Sequence, residues 1–204
     1  AEVEHIRYST TQGTNAIVER KGPKLGMVIN KGNVKLIKSM QEEDPDLFTF
    51  LVGDRIEEIE LADLNDEVSA AETITSITRL TARGANRVVV CFDNDDATHC
   101  ESQFKRIAFN SYPRHLLGAV PMLFASELAE DVSSNRRGWT ALINSFLHPA
   151  MESFLYNAEN RLREYRIKNP LLIFRNDGDA SRVAKTIALK TYSSGPRGGM
   201  EGGK

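Results

Sequence analysis

Polar and apolar residues alternate in EHIRYS, the two-residue period of a half-buried strand. Ser9, Thr10 and Thr11 then offer hydroxyls suited to a helix start, and the pattern predicts a helix over residues 12–20. Lys21-Gly22-Pro23 should stop it, because glycine accepts a left-handed cap and proline cannot continue a helix. KLGMVIN predicts a second strand. Residues 31–60 lack a clear period, with QEEDPD reading as an exposed turn and LFTFLV as a short strand. From Ala62 onward Val68, Ala71, Ile74, Ile77 and Leu80 recur every third position, which predicts a helix ending at Gly84. RVVVCF reads as a buried strand, residues 97–110 as a helix, PMLFASE and LLIFRN as further strands. Between those last two, Trp139, Leu142, Ile143, Phe146, Met151, Phe154, Leu155, Ala158 and Leu162 form one apolar face on a helix over residues 135–166, which Pro149 should kink or split.

Strands alternating with long helices predict an α/β fold with a mainly parallel sheet. Two arrangements suit the chain: an α/β segment 1–60 followed by a second, 61–204, that carries the long helix and a glycine-rich end, or one domain over 1–204. The composition, 41% apolar and 26% charged, is that of a globular domain with a real core. A net charge of -2 argues against nucleic acid as a partner, and the basic residues 161–168 read as the wet face of a helix. Two cysteines, Cys91 and Cys100, imply no disulfide framework and fit a reducing cytoplasm. No apolar window approaches the roughly eighteen residues of a membrane span. The start AEVEHIRYS has no signal-peptide pattern, and with no initiator Met and a glycine-rich end the expectation is a piece of a longer polypeptide.

Three segments could carry chemistry. TTQGTNA places hydroxyls and an amide at a strand-to-helix junction, where free N–H groups could hold a phosphate or carboxylate; a plain N-cap explains the same residues, and spacing by itself favours the cap. SSGPRGGMEGG could line a concave anion site with successive N–H groups, or be a flexible tail; it matches neither a P-loop nor a dinucleotide fingerprint. DNDDATHCE ends a predicted strand, but its spacing suits neither calcium nor zinc, and an acidic helix N-terminus accounts for it, so no metal site is expected. There is no G-x-S-x-G, H-E-x-x-H or C-x-x-C pattern, and His5, His115 and His148 stand apart.

Longer stretches resemble a known family. STTQGTNAIVERKGPKLGMVINKG is similar to an early segment of the hydantoinase/5-oxoprolinase family through Thr10, Thr11, Thr14, Asn15, Ala16, Glu19, Lys21 and Gly22. NRRGWTALINSFLHP resembles the family's Tyr-x-Arg-Thr-x-Thr helix start through Arg137, Thr140, Asn144 and Pro149, with Asn135 in place of tyrosine and Gly138 in place of threonine. SSGPRGGMEG resembles its Ser-Gly-Pro-x-Gly-Gly element through Ser194, Gly195, Pro196, Gly198 and Gly199, while RNDGD keeps Gly178 alone of two family glycines.

The resemblance implies part of an acetate kinase/Hsp70/actin-like ATPase fold, with the Asp-x-Gly-Gly-Thr phosphate loops before Ala1 and after Lys204. It also implies an ATP-dependent enzyme, needing Mg or Mn, that opens cyclic amides by phosphoryl activation. The alternatives are a subunit of an acetone or acetophenone carboxylase and a non-catalytic scaffold of such a complex. Thr11, Thr14, Asn15, Gly195, Gly198 and Gly199 are the expected ligand-binding residues, with no catalytic residue assigned. This piece alone is expected to be inactive and to hold no cofactor. Its expected partners are the rest of the parent subunit, other enzyme subunits and a small-molecule substrate, not nucleic acid or a membrane.

Overall fold

The computed structural model describes residues 6–60, 67–113, 119–167 and 169–202, so His5, His115 and the start of the helix expected from Ala62 lie outside the described residues. Contacts group the chain into two units, Pro23–Phe146 and the combination of Ala1–Gly22 with Leu147–Lys204. This grouping cuts across a division at residue 60. Its physical reason is strand pairing: β1 (Ile6–Tyr8) runs parallel to β6 (Leu171–Phe174), so the first residues fold with the last.

In the unit Pro23–Phe146 a four-stranded, all-parallel sheet has the order β3-β2-β4-β5. Its strands are β2 (Leu25–Asn30), β3 (Ile56–Ile59), β4 (Arg87–Val90) and β5 (Met122–Phe124). Leu25 to Ile29 are all buried, as a strand covered on both faces must be. On one face Val28, Val88, Val90, Phe92 and Phe124 join Ile77, Leu80, Phe104 and Ala108 in a single core. Each of the Val, Ile, Leu and Phe side chains contributes about 1.5–3 kcal/mol when fully removed from water.

The region expected to be irregular is helical: α2 (Val34–Glu43) and α3 (Pro45–Leu51) fill it. Asn33 Oδ1 accepts from Leu36 N–H at 3.4 Å, and Asp44 Oδ1 accepts from Leu47 N–H at 3.0 Å with Pro45 at the first turn. LFTFLV is therefore the interior of a capped helix, where Phe48 and Leu51 are buried, and QEEDPD is a helix end followed by a new N-cap. In α4 (Glu67–Ala82) the expected apolar stripe is only half right, since Ile77 and Leu80 are buried while Val68 is 75% exposed. A step of three residues falls about 60° short of a full turn, so five such positions spread around the helix and Thr73 and Ser76 take the core face instead. Gly84, at φ +88, ends the helix as expected.

The long helix α7 spans Ser134–Glu164 with Pro149 inside it, so of the kink or split expected there the split does not occur. Its first half contributes Trp139, Leu142 and Phe146 to the unit described above, with Trp139 edge-on to Phe48 and Phe146 edge-on to Phe50. The remainder of α7 belongs with the other unit, where Tyr8 stacks on Phe154 at 5.5 Å. There β6 also pairs antiparallel with β7 (Ala180–Arg182), a strand the apolar pattern did not predict. The Asp-Gly turn makes this hairpin: Gly178 sits at φ +90 and donates to Arg175 O, while Arg175 N–H donates to Asp179 O at 2.8 Å.

Candidate functional site

The site is assembled in the unit that joins both ends of the chain. After β1 the backbone enters α1 (Gln12–Val18), with Thr11 as its N-cap residue. Thr11's side chain makes no capping bond; Thr10 Oγ1 accepts from Gln12 N–H at 3.0 Å instead. The stop after α1 also differs from expectation. Arg20, not Gly22, is left-handed at φ 52, with Arg20 N–H on Ile17 O and Lys21 N–H on Ala16 O, the bond pair of a Schellman cap.

The glycine-rich segment is neither a loop nor a tail. It forms α8, Ser194–Gly202. A helix consumes most of its N–H groups internally, so only those of the first turn stay free for a ligand. Gly198 is packed, since a methyl added there would lie 3.5 Å from the Phe174 ring, whereas one at Gly199 would meet nothing within 4 Å.

The starts of α1 and α8 meet. Thr10 N–H donates to Ser194 Oγ at 3.5 Å, and Ser194 Oγ–H donates to Thr10 O at 3.4 Å, across 184 residues of sequence. Ser193 N–H donates to Thr14 Oγ1 at 3.4 Å, and a methyl on Gly195 would lie 3.8 Å from Thr11 Cγ2. Thr11, Thr14 and Gly195 are thus neighbours, with Gly198 and Gly199 one turn further along α8 and the exposed Asn15 on α1 beside Thr14. Sequence reasoning passed over Thr191, and it took Ser193 and Ser194 only as part of the glycine-rich segment. Thr191 and Ser194 are fully buried, and Thr191 Oγ1 lies 3.5 Å from where a Gly13 methyl would be. Their signal was the run TYSSGP, four hydroxyl-bearing residues ahead of a helix start.

The acidic candidate segment lies in the other unit. Asp93, Asn94, Asp95, Thr98, Ser126 and Arg137 line a cavity of about 520 Å³ beyond the carboxyl ends of β4 and β5. DNDD leads into a helix, α5 (Ala97–Ser111), and ATHCE is its first turn and beyond; the N-cap Asp96 makes no side-chain bond and the first turn holds no acid, so no capping bond holds the run. The organising residue is Glu101, which accepts from Phe92 N–H, Ser126 N–H and Ser126 Oγ–H. Burial pushes its carboxyl up, opposed by those donors and by the charge of Arg137. Arg137 in turn donates to Phe92 O, Asp131 O and Val132 O. Cys91 is buried beneath, its thiol pushed up to about 12 by burial and then by Glu101, while Cys100 is partly open. No group of three or more His, Cys, Asp or Glu among the described residues could hold a metal ion. No described helix is long and apolar enough to cross a membrane.

The family model for the hydantoinase/oxoprolinase N-terminal region matches residues 1–109, more than half of the chain. This chain belongs to the hydantoinase/oxoprolinase family. A second model of the family, hydantoinase/oxoprolinase, matches residues 137–204, so Thr11, Thr14 and Asn15 fall under one model and Gly195, Gly198 and Gly199 under the other. Among relatives, the acetophenone carboxylase gamma subunit of Aromatoleum aromaticum is 22% identical, over 98% of this chain and 30% of that protein. 5-Oxoprolinase 1 of Arabidopsis thaliana is 26% identical, over 98% of this chain and 18% of that protein. An ATP-dependent caprolactamase from Pseudomonas jessenii shares the fold with a TM-score of 0.77 at 19% identity, and a nucleotide-free acetone carboxylase with 0.73 at 17%. Each solved chain is matched over 98% of this chain and 31% of its own length. The chain therefore spans less than a third of the length of these relatives.

Proposed function

We propose that this chain forms part of the ligand cleft of a longer ATP-dependent subunit that opens cyclic amides, as a hydantoinase or 5-oxoprolinase does. The observation that carries this reading is the reciprocal Thr10 and Ser194 bond, which joins the two family segments into one hydroxyl- and glycine-lined edge. Thr11, Thr14 and Asn15 offer side chains there, and the first-turn N–H groups of α8 offer donors at Ser194 and Gly195, Pro196 having none. Gly198 packs α8 against Phe174 beneath that edge.

Such an edge fits one phosphate or carboxylate group. It does not enclose a triphosphate, and Arg197, the cation on the first turn of α8, is already paired with Glu201 at 2.9 Å. The rest of the nucleotide site and the divalent cation's ligands are assigned to the remainder of the subunit. When bound, ATP supplies the phosphoryl group that activates an amide or enolate oxygen, and the cation offsets phosphate charge. The residues of this chain orient the anionic group and hold it by N–H and hydroxyl donors.

A second reading, a ketone carboxylase subunit, is favoured by the acetophenone carboxylase relative and the acetone carboxylase neighbour. Measuring phosphate release by the longer polypeptide separates the two. Stimulation by 5-oxoproline or hydantoin supports amide opening, and stimulation only by a ketone with bicarbonate transfers the assignment to the carboxylase. Silence toward both classes would sink both readings.

A further inference from the structure

The cavity beyond β4 and β5 has no part in the proposed function, and its place in the fold marks it first. The order β3-β2-β4-β5 sends the chain from β2 to one side for β3 and back across for β4, so the strand order reverses between β2 and β4. Open parallel sheets take their ligands outside the carboxyl ends of the strands at such a reversal. Here the two ends are tied together. Asn30, the last residue of β2, accepts from Asp93 N–H through Oδ1 at 2.9 Å and donates through Nδ2 to Asp93 O at 3.5 Å. Asp93 is thereby fixed in the cavity wall.

The lining offers two different ends. Arg137, which the family's helix-start pattern singles out, is only 8% exposed and lines the cavity. A guanidinium has five N–H donors. Phe92 O, Asp131 O and Val132 O take three of them, and Nε–H has no acceptor among the described residues. A buried donor without an acceptor is destabilising, so an oxygen brought by a ligand is favoured beside it.

The rim is the opposite. Asp93, Asp95 and Glu130 line the same cavity, are exposed, and have carboxylates with no ion pair or hydrogen bond among the described residues. Asp131 is already engaged, with Arg136 Nε at 3.1 Å and Ser133 N–H at 2.8 Å. Four carboxylates against one guanidinium make the lining negative, which disfavours a phosphate or carboxylate. Nor do the acids converge as metal ligands among the described residues. The volume, about 520 Å³, is that of a small-molecule pocket.

We propose that this cavity binds a small organic cation with an ammonium group next to a carbonyl oxygen, as in an amino acid amide. The oxygen accepts from Arg137 Nε–H, and the ammonium meets Asp93, Asp95 and Glu130. Glu101 ties two wall segments together, since it accepts from Phe92 N–H beside Asp93 and from Ser126, itself a lining residue. The site does not depend on the amide-opening reading.

Calorimetry on the longer polypeptide at neutral pH, with glycinamide as probe, tests the proposal. Glycinamide should bind. Acetamide lacks the charge and ethylammonium lacks the oxygen, so each should bind about tenfold more weakly, and acetate should not bind. Added salt should weaken glycinamide binding. D95N/E130Q removes two exposed carboxylates that make no bond, so it should fold as the parent does and weaken glycinamide about three- to tenfold. No binding of glycinamide, ethylammonium binding as tightly as glycinamide, or an unchanged affinity in D95N/E130Q overturns the proposal. Acetate binding more tightly than glycinamide would reverse the sign assigned to the lining and overturn it as well.

Discussion

Replacing Gly26 by alanine tests the core directly. The added methyl would lie 3.1 Å from Leu80 Cβ, Leu80 Cδ1 and Ala85 Cβ, whereas carbon atoms in contact settle at about 3.5–4.0 Å. Relief requires shifts of about 0.4–0.9 Å from Leu80, fully buried on α4, and Ala85, fixed in the turn that follows it. Overpacking of this kind costs about 1–3 kcal/mol, and alanine returns about 0.5–1 kcal/mol by restricting the unfolded chain. The net loss should be about 0.5–2 kcal/mol, a Tm about 1–8 °C lower in a chain of this size. Gly199 is the internal control. A methyl there meets nothing within 4 Å on α8, so Gly199→Ala should gain about 0.5–1 kcal/mol from helix propensity. Urea titration of both variants at constant m-value measures the two effects. A Gly26→Ala protein as stable as the parent would refute the close fit of β2 against α4.

Thiol labelling under native conditions should modify Cys100 and spare Cys91, whose thiol is held up to about 12 by burial; equal rates at both would remove RVVVCF from the core. Glu101→Gln turns an amide N–H2 toward a backbone N–H whichever way it lies, costing about 1–3 kcal/mol near pH 5. Because the Glu101 carboxyl is raised in the folded state, its contribution is complete below the unfolded carboxyl range and fades as pH rises through the folded value. The stability gap between wild type and E101Q should therefore narrow from pH 5 to pH 8, and a constant or widening gap contradicts that sign. Asn15→Ala, at an exposed position, should lower substrate-dependent ATP turnover of the longer polypeptide and leave Tm unmoved. The opposite pattern would make Asn15 a structural residue.

Much of the parallel sheet was legible because its strands are short apolar runs bounded by turn residues, and Leu25 to Ile29 and Val88 to Phe92 could hardly be anything else. The region 31–60 was not. LFTFLV has strand-forming residues, and what makes it helical is Asp44 capping Leu47 with Pro45 in the first turn, a start signal hidden inside an acidic stretch that reads as a loop. The pairing of β1 with β6 was illegible for another reason. Strands of three and four residues carry almost no register information, and parallel partners far apart in sequence are chosen by the whole fold.

The α8 segment shows how tertiary packing can overturn the geometry that a local reading expects. Four glycines in nine residues oppose a helix by about 1 kcal/mol each, so a concave anion site or a flexible tail was the natural expectation. The helix packs through these positions: Gly198 faces Phe174 and Ser9, and Gly195 in its first turn faces Thr11. Anchoring by the buried Ser194 adds a tertiary term that propensity does not contain. The chemical consequence is specific. A glycine loop could have wrapped a phosphate with many N–H groups, whereas this helix can present only those of its first turn, beside Thr11 and Thr14. Under the proposed function, a ligand is therefore gripped by this chain at one end. Its other end must be met by donors from elsewhere, which is why a cleft spanning a longer subunit is the reading these residues favour.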